Sequence, residues 1–231
     1  MIRLPELYRA LPAVFAASFE SARPWTLLDA ALEALLAALP SAEIRGRVHP
    51  GAHLVGDRIV LGKGSRIAPG AVVEGPVWIG EDVEIRVGAY LRGGCWVGDG
   101  CVVGANVEMK RAILFPGAHA AHLNYVGDSI LGNDVNLGAG VILSNFRHDG
   151  RPIEIPAANG ERLATGKRKL GALLGDRVAV GCNSVLNPGT IVGARTQIHT
   201  GVQLRSGLYP ADCLIKLRQS LEVVAIASFE S

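Results

Sequence analysis

Aromatic side chains make up only 5% of this sequence, which argues against a conventional layered core, where Phe, Tyr and Trp supply much of the buried area. Charge of one sign is not in excess either. Lys and Arg number 23 against 21 Asp and Glu, a formal net charge of +2, so no global field draws in nucleic acid or an anionic membrane. Any anion site must be local. Long apolar runs are also missing: the stretch from Leu27 to Leu39 is interrupted by Asp29 and Glu33, is too short to span a bilayer, and follows no charged-then-apolar leader. A cytoplasmic protein is expected, without nucleic-acid or membrane partners. Cys95, Cys101, Cys182 and Cys213 form no CxxC pair, so neither a zinc site nor a disulfide framework is predicted. With 49% hydrophobic and 19% charged residues, the chain has the balance of a folded globule rather than a disordered one.

What is abundant is glycine, 29 residues, and such a bias points to repetition. Stepping by six from Leu61 gives Leu61, Ile67, Val73, Ile79, Ile85, Leu91, Val97, Val103 and Met109. Four places after each of the first eight lies a small residue: Ser65, Ala71, Val77, Val83, Ala89, Cys95, Cys101 and Val107. The same step returns at Leu131, Leu137 and Leu143, and again from Leu174 through Val180, Leu186, Val192 and Ile198 to Leu204. A period of six suits neither a helix nor simple alternation. It suits very short strands joined by tight turns, each placing one aliphatic side chain on a narrow axis. Gly62, Gly80 and Gly98 recur every three hexads, which predicts a triangular coil, and glycine is expected to supply positive-φ turns. Cys95 and Cys101 fall at the small-residue place and read as compact apolar fillers.

The flanks differ. LLDAALEALLAALP near the N-terminus has Leu28, Leu32, Leu35, Leu36 and Leu39 on a helical spacing that Pro40 ends. The expected organisation is a helical cap over residues 1–43, closing the first coil of the solenoid. A β-solenoid follows over 44–209, with a long loop at 144–173, and a C-terminal tail covers 210–231. Within that loop, IEI and ERL flank the turn-forming AANG and predict a hairpin. Lys167, Arg168 and Lys169 read either as a solvated charge run or as an anion contact.

The hexads resemble the hexapeptide-repeat family, which implies an all-β, left-handed parallel β-helix of triangular section. The handedness comes from the resemblance alone, since strand crossovers in ordinary sheets are right-handed. Leu91 to Phe146 is similar to the acetyltransferase domain of bifunctional N-acetylglucosamine-1-phosphate uridyltransferase/glucosamine-1-phosphate acetyltransferases. The resemblance lies in LRxG at Leu91–Gly94, NVEMK at Asn106–Lys110, HLxYxGD at His122–Asp128 and NxGAG at Asn136–Gly140. It implies acetyl-CoA as co-substrate and His122 as the general base toward an acceptor amine. It also implies Arg92 and Lys110 on a sugar phosphate, Tyr125, Asn136 and Asn145 around the sugar, and a homotrimer. Those residue types suit such chemistry, with a guanidinium and an ammonium for phosphate, hydroxyl and amide groups for a sugar, and imidazole for proton transfer near neutral pH. Cys182 and Thr200 stand where the family has serine and alanine near acetyl-CoA, and Arg218 matches an arginine near the CoA phosphate. The family's NYDG becomes Asn145-Phe146 followed by Arg147, His148, Asp149 and Gly150, and Arg151 stands near a family lysine. The helical N-terminus leaves no room for the uridyltransferase domain.

Two other readings stand beside a sugar acyltransferase. One is a non-catalytic scaffold or sugar-nucleotide binder of the same fold. The other is a metalloenzyme resembling γ-class carbonic anhydrases, against which His119 and His122 lie only three apart with no third histidine in register.

Overall fold

The computed structural model describes residues 3–18, 23–157 and 160–224. Its body is three parallel sheets, two of nine strands and one of eight, visited in strict rotation by the chain. Each of the first eight circuits contributes one strand to each sheet and the ninth contributes to two, giving a triangular solenoid whose faces are designated A, B and C. Coil 1 starts with Ala42–Ile44 on face A, Arg47–Val48 on face B and His53–Val55 on face C; coil 9 ends at Leu214–Ile215. The solenoid strands therefore run from Ala42 to Ile215, slightly beyond the expected 44–209 at both ends.

The hexad residues do line the axis. Leu61, Val73, Ile79, Leu91, Val97, Val103 and Met109 are fully buried, as are the small residues Ala71, Val77, Ala89, Cys95 and Cys101. No aromatic ring lies among the buried residues of this axial cluster, because a prism three short strands wide has room for an aliphatic side chain but not for a ring. Where a small place is polar it is satisfied: Ser65 Oγ donates to the Gly80 carbonyl at 2.7 Å and accepts from the Val83 amide at 2.8 Å.

The coil length is not constant. Ile79 stacks on Val97 eighteen residues later, whereas Val97 stacks on Leu114 after seventeen. The missing residue is absorbed at the corners holding Arg111 and Asp128, both at positive φ (45° and 44°). This is why the six-residue step loses register after Met109 and reappears at Leu131.

The glycines following the aliphatic residues serve a different purpose from the one expected. Gly62, Gly80, Gly98 and Gly104 have ordinary φ; what they provide is close approach between stacked coils. A Cβ on Gly104 would lie 1.7 Å from the Ala121 carbonyl oxygen. Positive φ is carried elsewhere, by glycines such as Gly88 and by Asp82, Asn106 and Leu123.

The N-terminal segment forms two short α-helices, Leu4–Leu7 (α1) and Ala30–Ala37 (α2), and 3-10 turns at Ala13–Ser18 and Pro24–Leu28. These do cover apolar surface, but that surface is the flank of the solenoid rather than the end of coil 1. Tyr8, Phe15, Trp25, Leu28 and Leu32 pack with Trp96, Ile113, Phe115, Ile130, Leu173 and Ile191 on the outside of face A. The Trp78 and Trp96 rings stack at 4.8 Å, and Phe15 meets Trp96 edge-on at 5.3 Å. At coil 1, Ile44 and Val55 stay 42% and 49% exposed.

The excursion between coils 6 and 7 leaves the ladder intact, because Ile130 and Leu131 pair directly with Leu173 and Leu174. It contains the expected antiparallel hairpin, Glu154–Pro156 against Arg162–Ala164; Ala158 and Asn159 of its AANG turn lie outside the described residues. Ile153 and Ile155 are buried in the face A cluster. In the basic run Lys167 is partly buried and pairs with Asp29, whereas Arg168 and Lys169 are exposed; Arg168 donates to the Gly150 carbonyl at 3.2 Å, and the Lys169 backbone bridges Phe146. No helix among the described residues is long and apolar enough to cross a membrane.

Candidate active site

Alternation along the face C strands decides which side chains reach solvent. In Tyr90–Arg92 and Glu108–Lys110 the central residue is buried and the outer two point away from the axis, and in Tyr125–Gly127 Tyr125 does the same beside a buried Val126 and Gly127. Glu108 stands beside Tyr90 on one side and Tyr125 on the other, and Lys110 beside Gly127. Arg92, one residue past the Leu91–Met109 pair, shares the column of Lys110. Residues far apart in the chain thus come together as a patch, with successive strands about 4.8 Å apart.

The patch is internally wired. Arg92 Nη1 donates to Glu108 Oε1 at 2.8 Å, its guanidinium lies 5.9 Å from the Tyr90 ring centre, and Tyr90 donates to Glu74 at 2.7 Å. Lys110 has no ion pair among the described residues. Burial, then the nearby carboxylates of Glu108 and Asp128, hold the Tyr125 hydroxyl above its ordinary titration range, and a hydrogen bond from Asn145 opposes them. Asn145 Nδ2 also donates to Asp128 Oδ2 at 2.6 Å. Gly127 makes this arrangement possible, since a Cβ there would lie 2.6 Å from the Tyr125 hydroxyl and 2.7 Å from Asn145 Nδ2.

His122 ends the strand His119–His122 on face B and sits, exposed, where the chain turns toward face C. That corner is fixed by Asn124, 3% exposed. Its Nδ2 donates to the carbonyls of Gly138 (2.8 Å) and Val141 (3.4 Å), and its Oδ1 accepts the His122 amide at 3.2 Å. Leu123, at φ 53°, completes the turn. Sequence reasoning passed over Asn124 as a positioning residue, although its place between His122 and Tyr125 was the available signal.

The same corner continues up the solenoid. Backbone bonds from Gly140 to His122, Asn183 to Ala139 and Gly201 to Cys182 put His122, Ala139, Cys182 and Thr200 at equivalent places of coils 5 to 8. Three coil spacings carry the line from His122 to Thr200 over about 14 Å. At its far end Thr200, His199 and Gly201 line a groove of about 510 Å³ with Leu217 and Gln219, so the exposed Arg218 lies on the segment forming the opposite wall. Asn136 is placed apart from the face C patch: it is on face B, in register with His119. No group of three or more His, Cys, Asp or Glu side chains able to hold a metal occurs among the described residues.

The model for the bacterial transferase hexapeptide (six repeats) matches residues 76–111. The uncharacterized acetyltransferase YaiX of Escherichia coli O6:K15:H31 is 35% identical over 167 residues, which cover 71% of this chain and 70% of that protein. With the triangular solenoid, these matches define a left-handed β-helix. The chain belongs to the hexapeptide-repeat transferase family. It is also 40% identical over 99 residues to a bifunctional sugar-1-phosphate nucleotidylyltransferase/acetyltransferase of Sulfurisphaera tokodaii, 43% of this chain and 24% of that one. The bifunctional protein GlmU of Methanococcus vannielii is 35% identical over 119 residues, 49% of this chain and 28% of that one. The chain thus spans about a quarter of the length of these bifunctional relatives.

Proposed function

We propose that this chain is an acetyl-CoA-dependent acetyltransferase acting on an amino sugar phosphate. The observation that carries the reading is the junction at His122: a face bearing Arg92, Lys110 and Tyr125 on one side and the corner line through Cys182 and Thr200 on the other. Arg92 and Lys110 suit a phosphate, and Tyr125 and Asn145 supply hydroxyl and amide groups for a sugar. The corner ending in the Thr200 groove, with Arg218 on its far wall, suits an extended donor carrying phosphate.

In this reading the acceptor amine attacks the thioester carbonyl, a C–N bond forms and the C–S bond breaks. His122 takes the proton that the amine loses, and the thiolate of CoA leaves and is protonated. An imidazole can accept and release a proton in this way, as a general base requires. Asn136, on face B, is positioned to serve a molecule at a second face; a homotrimer, in which sites form between neighbouring solenoids, would use it that way. One relative's name joins a sugar-1-phosphate nucleotidylyltransferase to an acetyltransferase, which supports a sugar phosphate as the acceptor class.

Two measurements test this. Saturating acetyl-CoA, at about one hundred times its dissociation constant, should stabilise the fold by about 2.7 kcal/mol and raise the unfolding midpoint. Replacing His122 by Ala should lower thiol release with glucosamine 1-phosphate by about 10²–10⁴-fold while leaving that shift intact. No shift at millimolar acetyl-CoA removes the donor assignment, and full turnover by the variant removes His122 from the mechanism.

A further inference from the structure

Behind the face C patch lies a chain of polar contacts that the proposed chemistry does not use. Asp128 is 5% exposed, and a buried carboxylate requires partners. It has two. Arg111 Nε approaches Asp128 Oδ1 at 3.3 Å, and Asn145 Nδ2 donates to Oδ2 at 2.6 Å. Asn145 Nδ2 and the Tyr125 hydroxyl stand together over Gly127, 2.7 and 2.6 Å from where a Cβ there would lie. Arg111 is oriented from its other end: its Nη2 lies 3.4 Å from the Leu28 carbonyl and 3.7 Å from Glu33 Oε1 of α2. The two ionic members occupy the left-handed corners that shorten these coils, so the same backbone feature that drops a residue also aims Arg111 and Asp128 at each other.

We propose that Arg111 and Asp128 are positioning residues for the acceptor site: together they fix Asn145, and through it the Tyr125 hydroxyl, with the N-terminal helical segment anchoring Arg111 from behind. This rests on the acceptor site assigned above. An asparagine amide can rotate among several partners, and a tyrosine hydroxyl on an open face can turn either way. An ion pair from Arg111 and a hydrogen bond from Asn145 to one buried carboxylate favour a single arrangement in which Asn145 faces both Asp128 and Tyr125. The carboxylate itself lies behind the patch, so its part is orientation rather than contact with substrate.

The test uses the full chain with ring-labelled tyrosine, the Tyr125 signal being assigned by its loss in Tyr125→Phe. Asp128→Asn keeps the side-chain size and tolerates the left-handed backbone. It should shift the Tyr125 ring resonance and move its titration midpoint to lower pH, because a negative charge that disfavours tyrosinate is removed. Arg111→Met should also shift the resonance, and Arg111→Lys should restore it in large part. In turnover, loss of one charge-assisted bond should raise the KM for glucosamine 1-phosphate about tenfold while leaving the KM for acetyl-CoA within about twofold. An unmoved Tyr125 resonance in Asp128→Asn overturns the inference whatever the rates are. A moved resonance with an unchanged acceptor KM, in an enzyme that turns over, overturns it as well. If the wild-type chain transfers to no amino sugar phosphate, the assigned function fails, and the Tyr125 signal still decides whether Arg111 and Asp128 hold the pair.

Discussion

Single residues on the axis of this solenoid are chosen for size before anything else. Cys95 and Cys101 fill places that elsewhere hold alanine or valine, and burial pushes both thiols up to about 12. Since the thiolate is the reactive form, neither can be modified in the folded state. Ellman's reagent at pH 8 should therefore react with the exposed Cys182 in the native protein and reach Cys95 and Cys101 only after unfolding; rapid reaction of three or four thiols would contradict this packing. These filler roles were legible because their spacing matched the hexad. The role of Gly104 was not, since close approach to the Ala121 carbonyl depends on the neighbouring coil, seventeen residues away, and no local pattern encodes it. Arg111 and Asp128 were missed for a similar reason. In sequence they look like ordinary turn residues, and only the stacking of short coils brings them together.

Among the elements, the three faces differ in what their strands say. Face B and C strands set a buried residue beside an outward, more accessible one, polar in Glu84–Ile85 and Glu108–Lys110. Face A strands such as Cys95–Val97, Ala172–Leu174 and Thr190–Val192 are buried throughout. A run buried on both sides marks a sheet covered from outside, so the docking of the N-terminal helices against face A was latent in those runs. The helices themselves were legible from their leucines; their destination required recognising Trp78, Trp96 and Ile113 as one outward column. This seam also contains a mismatch. Among the described residues the buried Tyr8 hydroxyl has no hydrogen-bond partner, and burial, then the charge of Asp176, holds its ionisation well above the ordinary tyrosine value. Tyr8→Phe should consequently be neutral or stabilising at pH 7.5, by at most about 1–3 kcal/mol. The sign at alkaline pH follows from linkage: a raised folded-state value gives stability that is complete below the unfolded tyrosine pKa of about 10 and is lost above it. Urea unfolding at pH 7.5 and 10.5 should show the advantage of the Phe variant growing with pH. A constant difference would mean that Tyr8 does not titrate with unfolding.

For the molecule as a whole, each coil touches only its neighbours, so the cost of a cavity depends on how many coils surround it. Leu137 in coil 6 is 1% exposed and stacked on both sides, and Leu137→Ala should cost about 2–5 kcal/mol. Ile215 in coil 9 pairs on one side only and is partly buried; its replacement by Ala should cost less than half as much in the same denaturation assay. Equal losses would indicate that the terminal coil is covered by something further. The candidate site was legible at this scale only in part. Arg92, Lys110, Tyr125 and His122 were chosen through motifs, but their common patch and the corner running to Thr200 exist only once the triangular winding is known.

The seal over face A carries a consequence for how copies of this chain can meet. With Trp96, Ile113, Ile130, Leu173 and Ile191 already buried under the chain's own N-terminal residues, that side offers a neighbour a finished exterior instead of a bare sheet. Lateral association of solenoids is left to faces B and C and the corner between them, where His122, Asn136 and Tyr125 lie. In the homotrimer proposed above, the tryptophans would point outward and the proposed site would face the seams.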